Sequence, residues 1–346
     1  MKFELNIGNQ GELARQARVT RALGSTFIAS VLDAGHRQLF RAPRTAALIA
    51  AWPGDPSAAA LGMRFNAALN ALARRGTPPV LQALYRREHD DFDGAVGDAL
   101  AREDKFIAHW MQDTPQTNEV GRAASLFAAL MVLKAEFGLP FELLEIGSSA
   151  GLNLNMARYA YDLGGVYAGD PDSPVHVAPE WRGIRPVTQP VTVVSACGVD
   201  LRPLDPADPA TAERLLSFVW ADEELRARRL EAALHLARRH PPHVERANAV
   251  QWIAERLAEP QAEGTCRVIF HSMVLQYLAP ADRLAVIGAI RAAGARATRD
   301  RPVARISFEW NEGRSEVRLL LSSWPDGQTR HLATCHPYGN WVDWHG

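Results

Sequence analysis

The sequence has few cysteines, and those it has are not spaced for a shared role. Cys197, Cys266 and Cys335 are far apart, odd in number and show no C-x-x-C pattern. A disulfide framework or a cysteine-based zinc site needs paired or closely spaced cysteines, so neither is expected. Uncrosslinked thiols are typical of a reducing compartment, and we therefore predict a cytoplasmic protein.

A charge excess and a long apolar run are also missing. The formal net charge is -1, and lysine occurs only at positions 2, 105 and 134. Without an overall field or a basic stripe with interleaved aromatics, we predict no nucleic-acid partner. The first residues, MKFELNIGNQGELARQ, contain no apolar h-region, and no run approaches 18 apolar residues. Neither secretion nor a membrane span is therefore expected.

Apolar residues are plentiful, at 47% of a 346-residue chain, which is enough for one large core or two ordinary ones. Residues 1–112 are predicted to form a helical N-terminal domain that acts as a cap or lid. WPGDPS (52–57) and RGTPP (75–79) are its loops. Between these loops, apolar residues recur at helical spacing: Leu61, Phe65, Ala68, Leu69 and Leu72.

Residues 113–346 are predicted to form an α/β domain. A helix over 118–137, with Asn118 as its N-cap and Gly138 as its stop, precedes the strands. Helices are expected over 208–239, 250–258 and 281–294. Five segments have strand patterns: FELLEI (141–146), PVTVVSACGVD (190–200), HVERANAV (243–250), CRVIFHS (266–272) and VARISFEW (303–310).

Two hairpins complete this part of the chain. One is centred on Gly164-Gly165, and the other joins EVRLLLSSW to QTRHLATCHP through PDG. Strand–helix alternation predicts an open sheet with helices on both faces. With the closing antiparallel hairpin, this outline resembles the Rossmann-like sheet of class I methyltransferases.

The glycine turn after FELLEI admits two interpretations. Gly147, Ser149 and Gly151 spell G-x-S-x-G, the nucleophile elbow of α/β hydrolases. That elbow needs an upstream oxyanion loop and follows several strands, whereas helices precede FELLEI here. Asp326, His331 and His336 could complete a triad, so a serine hydrolase using Ser149 stays as a third hypothesis.

The same turn resembles the loop that holds S-adenosylmethionine in class I methyltransferases. Glu145-x-Gly147-x-x-x-Gly151 is similar to the pattern acid-x-Gly-x-Gly-x-Gly, with Ser149 in place of the middle glycine. Glycines let a backbone approach a ligand closely, and a helix start behind them offers free N–H groups. The alternative is that both glycines only permit a tight turn.

Later strand ends carry features in the order that a cofactor across the sheet would meet them. Asp200 ends the second strand and suits a ribose diol, although a solvated turn aspartate is the alternative. Asn248 and Ala249 follow the third strand, where methyltransferases often carry Asp-Ala beside the adenine. FHSMVLQYLAP (270–280) resembles the methyltransferase segment next to the transferred methyl.

Over nearly its whole length the chain resembles the DUF2332 family of bacterial proteins. The resemblance implies one family-length unit with a methyltransferase-like domain behind a helical part, and it implies no specific activity. It is carried by QTNEVGRAA (116–124), LLEIGSSAGLNLN (143–155), GDPDSPV (169–175), GVDLRPLDP (198–206), FVWADEELRARRLEAAL (218–234), FHSMVLQYL (270–278) and HPYGNW (336–341).

Further candidate residues flank the cofactor loop. Glu119 or Arg122 would pair with the ammonium or carboxylate of the cofactor. His271 is a candidate general base, since the unperturbed pKa of histidine lies near neutrality, and Ser272 and Tyr277 are candidate acceptor-side residues. A core histidine is the alternative for His271.

No metal is predicted. His331, His336 and His345 lack ligand spacing, and Asp170 and Asp172 suit a solvated turn.

The sequence therefore predicts an S-adenosylmethionine-dependent methyltransferase that acts on a small-molecule substrate. A non-catalytic sensor or assembly protein that binds S-adenosylmethionine or another nucleotide is the alternative.

Overall fold

A computed structural model describes residues 11–22 and 24–346. Two compact units are formed. The first runs to Thr117 and also includes Ala212–Ala227, and the second comprises Asn118–Thr211 and Arg228–Gly346. The predicted domain boundary after residue 112 stays a prediction, because a compact unit need not be a domain that folds independently. Among the described residues, no helix combines the length and the apolarity that crossing a bilayer requires.

Among its described residues, the first unit contains six α-helices before Thr117. Its most enclosed helix has Leu61, Phe65, Ala68, Leu69 and Leu72 fully or almost fully buried, as their helical spacing predicted. It ends where Gly76 adopts a left-handed conformation (φ 74°) that suits glycine. The helices are α1 (Glu12–Ala22), α2 (Thr26–Gln38), α3 (Pro43–Ala50), α4 (Leu61–Arg75), α5 (Pro79–Tyr85) and α6 (Phe92–Trp110).

The remaining helices surround or follow the strands of the second unit, with part of α8 and the start of α9 in the first. They are α7 (Ala123–Phe137), α8 (Pro209–Ser217), α9 (Glu224–Arg239), α10 (Ala249–Ala258) and α11 (Pro280–Gly294). The prediction of one continuous helix over 208–239 is therefore wrong, because α8 and α9 are separate helices. The Asn70 amide donates to the carbonyls of Ser217 and Val219, which a continuing helix would have used for its own bonds.

Twelve strands form two sheets among the described residues. They are β1 (Phe141–Ile146), β2 (Ala160–Asp162), β3 (Tyr167–Gly169), β4 (His176–Val177), β5 (Glu180–Gly183), β6 (Val193–Asp200), β7 (Val244–Arg246), β8 (Cys266–Ser272), β9 (Val303–Trp310), β10 (Val317–Trp324), β11 (Gln328–Cys335) and β12 (Trp341–Trp344). The large sheet has nine strands in the order β5-β12-β11-β10-β9-β8-β1-β6-β7, and β3-β2-β4 form a small second sheet.

The central sheet is mostly parallel. Five adjacent strands, β7, β6, β1, β8 and β9, run parallel, while β10, β11 and β12 continue the sheet in antiparallel fashion. This confirms the α/β class of the prediction. Leu144, Ile146 and Val199 from the strands pack with Ile253 and Val286 from α10 and α11, which gives this face of the sheet its core.

The segment after the glycine turn is a correction to the prediction. It is a 3₁₀ helix over Leu152–Arg158 and not an α-helix. Gly151 is left-handed at its start (φ 69°), and the Asn118 side chain accepts from the Leu152 N–H. This short helix does not offer the row of free N–H groups that an α-helix start would provide.

Candidate functional site

The topology itself marks one edge of the sheet. From β1 the chain reaches β6 and β7 on one side, whereas β8 and β9 lie on the other. In such sheets, ligands bind outside the carboxyl ends of the strands, at the point where the order reverses. The loops that follow β1 and β8 therefore define where a site is to be sought.

The loop after β1 is held against β6 by backbone bonds. Gly147 N and Ser148 N both donate to the Val199 carbonyl, at 2.9 and 3.0 Å. Ser149 N donates to Asp200 Oδ2 at 2.9 Å, and Arg202 N donates to Asp200 Oδ1 at 2.8 Å. Asp200 thus fixes the turn, with each carboxylate oxygen already accepting one N–H.

Gly147 and Gly151 let the backbone of this loop pack closely against side chains from other parts of the second unit. Val274, in the loop after β8, lies where a Cβ on Gly147 would stand. A Cβ on Gly151 would come within 2.7 Å of the Val244 side chain. Both glycines have positive φ, so a side chain there would also strain the backbone.

Glu145, at the end of β1, is the most unusual group near this loop. Its side chain is 2% exposed, and Oε2 accepts no hydrogen bond from the described residues. Burial raises the pKa of Glu145 to about 8, and the charge of nearby Asp200 adds to that shift. A buried oxygen without a donor is rare, because it forgoes the hydrogen bonds that water would supply.

Two further buried oxygens, one in the loop and one in the 3₁₀ helix after it, lack partners among the described residues. They are Ser149 Oγ and Asn153 Oδ1. The Asn153 amide nitrogen is engaged, since it donates to the Glu119 carbonyl at 3.3 Å. The end of β1, the loop after it and the 3₁₀ helix that follows thus carry one buried acceptor each, and each could bind a hydrogen-bond donor on a ligand.

Residues 118–122 lie against the loop and place Glu119 beside a cation. Glu119 Oε1 accepts from Gly121 N at 2.9 Å and from Arg229 Nη2 at 3.2 Å. The cap in this segment is Glu119 and not Asn118, whose side chain instead binds Leu152 N. Glu119 caps only a 3₁₀ turn over Val120–Arg122, and α7 itself begins at Ala123 without a side-chain cap. The predicted start of the α-helix at 118, with Asn118 as its cap, is therefore wrong.

Arg122 joins three separate parts of the chain. It is 9% exposed, and its Nε donates to the Pro337 carbonyl at 2.9 Å. Its Nη1 donates to the carbonyl and the hydroxyl of Ser272, at 3.2 and 3.3 Å. The turn over 336–339 can come this close because Gly339 has no Cβ, since a Cβ there would collide with the backbone of Gly121.

His271 is fully buried and both of its ring nitrogens are engaged. Nδ1 lies 2.7 Å from Glu309 Oε1, and Arg305 Nε donates to Nε2 at 3.0 Å. Nε2 must therefore be the unprotonated nitrogen, and Nδ1–H donates to the carboxylate. Burial lowers the pKa of His271, so the imidazole is neutral near pH 7. It is held in the core and does not face the loop as a free base.

Glu309 links His271 to the loop after β8. The same Oε1 accepts from Val274 N at 3.1 Å and from Leu275 N at 3.3 Å. Sequence reasoning missed Glu309, although it lies near the carboxyl end of a strand whose bounds were predicted. Applying the strand-end rule to this fifth strand would have found it.

The other predicted residues lie farther out. Asn248 is exposed and caps α10 by accepting from Val250 N at 2.8 Å, and Ala249 is the first residue of that helix. A bond from Ala247 N to the Asp200 carbonyl keeps this turn at the end of β6. Tyr277 is 80% exposed, in a 3₁₀ turn over Leu275–Tyr277. The polar centre thus joins Glu119, Arg122, Glu145, Ser149, Asp200 and Ser272.

Two cavities lie elsewhere in the second unit. One of about 470 Å³ is lined by Ile290, Arg305 and Trp324, and one of about 530 Å³ by Met131, Glu136 and Arg330. Neither is lined by a residue of the 147–151 loop. What marks the switch point as a ligand site is therefore its set of buried polar groups and not a cavity volume.

One comparison with known proteins identifies a family. A family model described as "Uncharacterized protein conserved in bacteria (DUF2332)" matches residues 10–344. Neither the curated proteins nor the solved structures contain a match to the chain.

Proposed function

This chain belongs to the DUF2332 family, and we propose that it is an S-adenosylmethionine-dependent methyltransferase acting on a small molecule. The strand order supports a nucleotide-type ligand. Numbered along the chain, the five parallel strands lie in the order 3-2-1-4-5, which is that of doubly wound nucleotide-binding sheets.

The observation that carries the proposal is the buried carboxyl of Glu145. It stands at the end of the first strand, beside the switch point, with one oxygen unpartnered among the described residues. Asp200 ends the neighbouring strand, close enough to influence the pKa of Glu145. Two acids on adjacent strand ends suit the ribose hydroxyls and the ammonium group of S-adenosylmethionine.

The residues present fit that cofactor in chemistry. Glu145 would accept from a hydroxyl or ammonium group, and Ser149 Oγ and Asn153 Oδ1 would accept further donors. Asn248 lies at the end of the third strand, where the adenine is expected. When bound, the cofactor supplies an electrophilic methyl group.

The acceptor side would be formed by Ser272 and the loop that follows it. Methyl transfer to an already nucleophilic atom depends mainly on positioning, so a free general base is not required. We therefore assign His271 a positioning role. Through Glu309 it holds the backbone of Val274 and Leu275.

A non-catalytic binding protein is the second candidate. The specific observation in its favour is the Val274 side chain, which occupies the space that a Cβ on Gly147 would need. In a cofactor-binding loop, the space beside this glycine is expected to hold the ligand. Here a protein side chain fills it. The hydrolase has less support, because Ser149 Oγ has no hydrogen-bond partner among the described residues and His271 is fully engaged.

Calorimetric titration of the full-length protein with S-adenosylmethionine and S-adenosylhomocysteine tests the proposal. We expect dissociation constants of about 1–100 μM for at least one of them, as is common for cofactors held by a few charged hydrogen bonds. Glu145→Gln should weaken binding by about tenfold or more, since a hydrogen bond to a charged group is lost.

Glu142→Gln is the matched control. Glu142 lies on the same strand as Glu145 but near its opposite end, where it pairs with Arg267 at 2.8 Å. Folding of each variant is checked by circular dichroism. A folded wild-type protein that binds neither compound contradicts the proposal, and binding that never yields methyl transfer to any acceptor pool favours the non-catalytic candidate.

A further inference from the structure

A group of three metal-ligating side chains lies at the outer edge of the large sheet. Cys197 belongs to β6, Glu245 belongs to β7, and His243 immediately precedes β7. Because Gly198 pairs with Val244 in parallel register, the residues on either side of that pair point to the other face of the sheet. The three side chains therefore share one face.

The ligand atoms are already close together. Cys197 Sγ lies 3.1 Å from Glu245 Oε1, and His243 Nε2 lies 3.5 Å from the same oxygen. All three atoms lie within 4.8 Å of one another. Tetrahedral zinc with its usual bond lengths separates such ligand atoms by roughly 3.3–3.6 Å, so two of the three separations are close to those of a formed site.

We propose that Cys197, His243 and Glu245 bind a zinc ion through one sulfur, one nitrogen and one oxygen. This donor set suits a borderline-soft divalent cation and not Mg²⁺ or Ca²⁺, which prefer oxygen alone. The His243 side chain is 71% exposed, so the ion has a direct path from solvent. Three protein ligands leave a fourth position for water.

Arg256 is the competitor for this site. It contacts Glu245 Oε1 and also pairs with Glu259 at 2.8 Å. An ion on Oε1 would displace Arg256 from that oxygen and leave it with Glu259. The site is therefore a switch between an internal cation and a metal ion.

Binding would fasten the edge of the sheet. The edge strand β7 is only three residues long, and within the described part of the chain it pairs with β6 alone. Its central residue, Val244, packs against Gly151 of the glycine loop. An ion joining β6 to both sides of Val244 would hold that contact in place, and this role is independent of the methyltransferase proposal.

The test uses full-length protein without a polyhistidine tag. Bound metal is first removed with a chelator, and the chelator is then removed. Zn²⁺ is titrated in competition with a chromophoric chelator, and Co²⁺ is used as a spectroscopic substitute. We expect one ion per chain and a thiolate-to-cobalt charge-transfer band. Cys197→Ser should abolish the band, and Cys197→Ser and His243→Gln should each weaken Zn²⁺ binding by more than about 100-fold, beyond the loss typical of outer-shell residues.

Cys266→Ser and His240→Gln are the matched controls, because they change a buried cysteine and an exposed histidine outside the cluster. They should bind Zn²⁺ like the wild type. Arg256→Gln should bind it more tightly, since the competing cation is removed. Equal affinity in Cys197→Ser and the wild type, or loss of binding in the controls as well, overturns the proposal. Melting temperatures establish that each variant is folded.

Discussion

Among single residues, Glu145 has the environment that most disfavours its charge. It is enclosed at the end of β1, and one of its oxygens has no donor among the described residues. At pH 7 the carboxyl is therefore mostly protonated, with a pKa of about 8. A ligand that brings a positive group would favour the carboxylate, so binding would release a proton.

This pKa predicts how stability depends on pH. Between the ordinary value near 4.5 and about 8, folded Glu145 holds a proton that the unfolded chain has lost. The free energy of unfolding should thus fall as pH rises, by about 1.4 kcal/mol per pH unit at most. Glu145→Gln should remove this contribution and be the more stable protein at pH 8.

Urea unfolding of both proteins at pH 5.5, 7 and 8.5 measures the effect, with pH values chosen on either side of the shifted pKa. Asp162→Asn is the control, because Asp162 ends β2 at the Gly164-Gly165 turn, where its Oδ1 accepts from Gly165 N, and it is not part of the polar centre. Parallel pH profiles for wild type and Glu145→Gln would show that Glu145 is not protonated in the folded state.

The residue Glu309 supports a second prediction. Its Oε1 accepts from His271 and from two backbone N–H groups, so Glu309→Ala leaves three donors unsatisfied. We expect a loss of about 2–4 kcal/mol in the free energy of unfolding, in the range for broken buried charged networks. Amide exchange at Val274 and Leu275 should also accelerate.

Mass-spectrometric hydrogen exchange and urea unfolding give the two measurements. Glu312→Ala is the matched control, because Glu312 is exposed on the turn after β9. Unchanged exchange at residues 273–275 in Glu309→Ala would mean that the carboxylate does not hold this loop.

At the scale of elements, the turn over 336–339 is fixed on the segment that carries Arg122. Gly339 has φ 72°, and its missing Cβ makes room for the Gly121 backbone. Gly339→Ala should therefore cost more than about 1 kcal/mol in stability, since both strain and steric overlap oppose alanine there. Gly313→Ala should be nearly neutral, because no atom lies within 4 Å of an added Cβ.

Thermal unfolding of the two variants separates these expectations. S-adenosylhomocysteine titration then shows whether displacing the turn also disturbs the site through Arg122. Equal melting temperatures for Gly339→Ala and Gly313→Ala would show that the Gly121 backbone does not crowd a side chain at position 339.

Elements were predictable from sequence where their signals are local. FELLEI, CRVIFHS and VARISFEW are short apolar runs, and they form β1, β8 and β9 with the predicted bounds. The 3₁₀ helix after Gly151 was not predictable, because its first N–H is taken by the distant Asn118. The strand EWRG (180–183) is mostly exposed and charged, and only its pairing with β12 makes it a strand.

The site shows the same division. Glu145, Ser149 and Asp200 could be named as candidates because strand ends and glycine turns are visible in sequence, and their role stays a prediction. The partners that engage His271 come from a strand far along the chain, and Cys197 is far in sequence from the His243–Glu245 pair, so only the sheet brings these groups together. Chain spacing therefore carried no sign of them.

For the whole molecule, the strand nearest the C-terminus, β12, joins β5 to the rest of the nine-stranded sheet. β12 pairs with β11 on one side and β5 on the other, and Trp344 packs against Trp181 with ring centroids 5.4 Å apart. Removing residues 341–346 would leave two unpaired edges. We expect a lower melting temperature and aggregation, since open edges invite pairing between molecules.

Light scattering and thermal unfolding of the truncated chain check this expectation. The control is a chain that lacks only Gly346, which lies beyond β12. A truncated protein that stays monomeric and melts with the control would show that β12 is dispensable for the sheet.

The closed arrangement around His271 has a practical consequence for spectroscopy. The Nδ1 proton lies between a fully buried ring and the carboxylate of Glu309, 2.7 Å away, and solvent does not reach it. Such a proton exchanges slowly and resonates far downfield of the amide envelope. Because the same carboxylate also accepts from Val274 N and Leu275 N, this one NMR line would report a movement of the loop that displaces Glu309, without any label being attached to the protein.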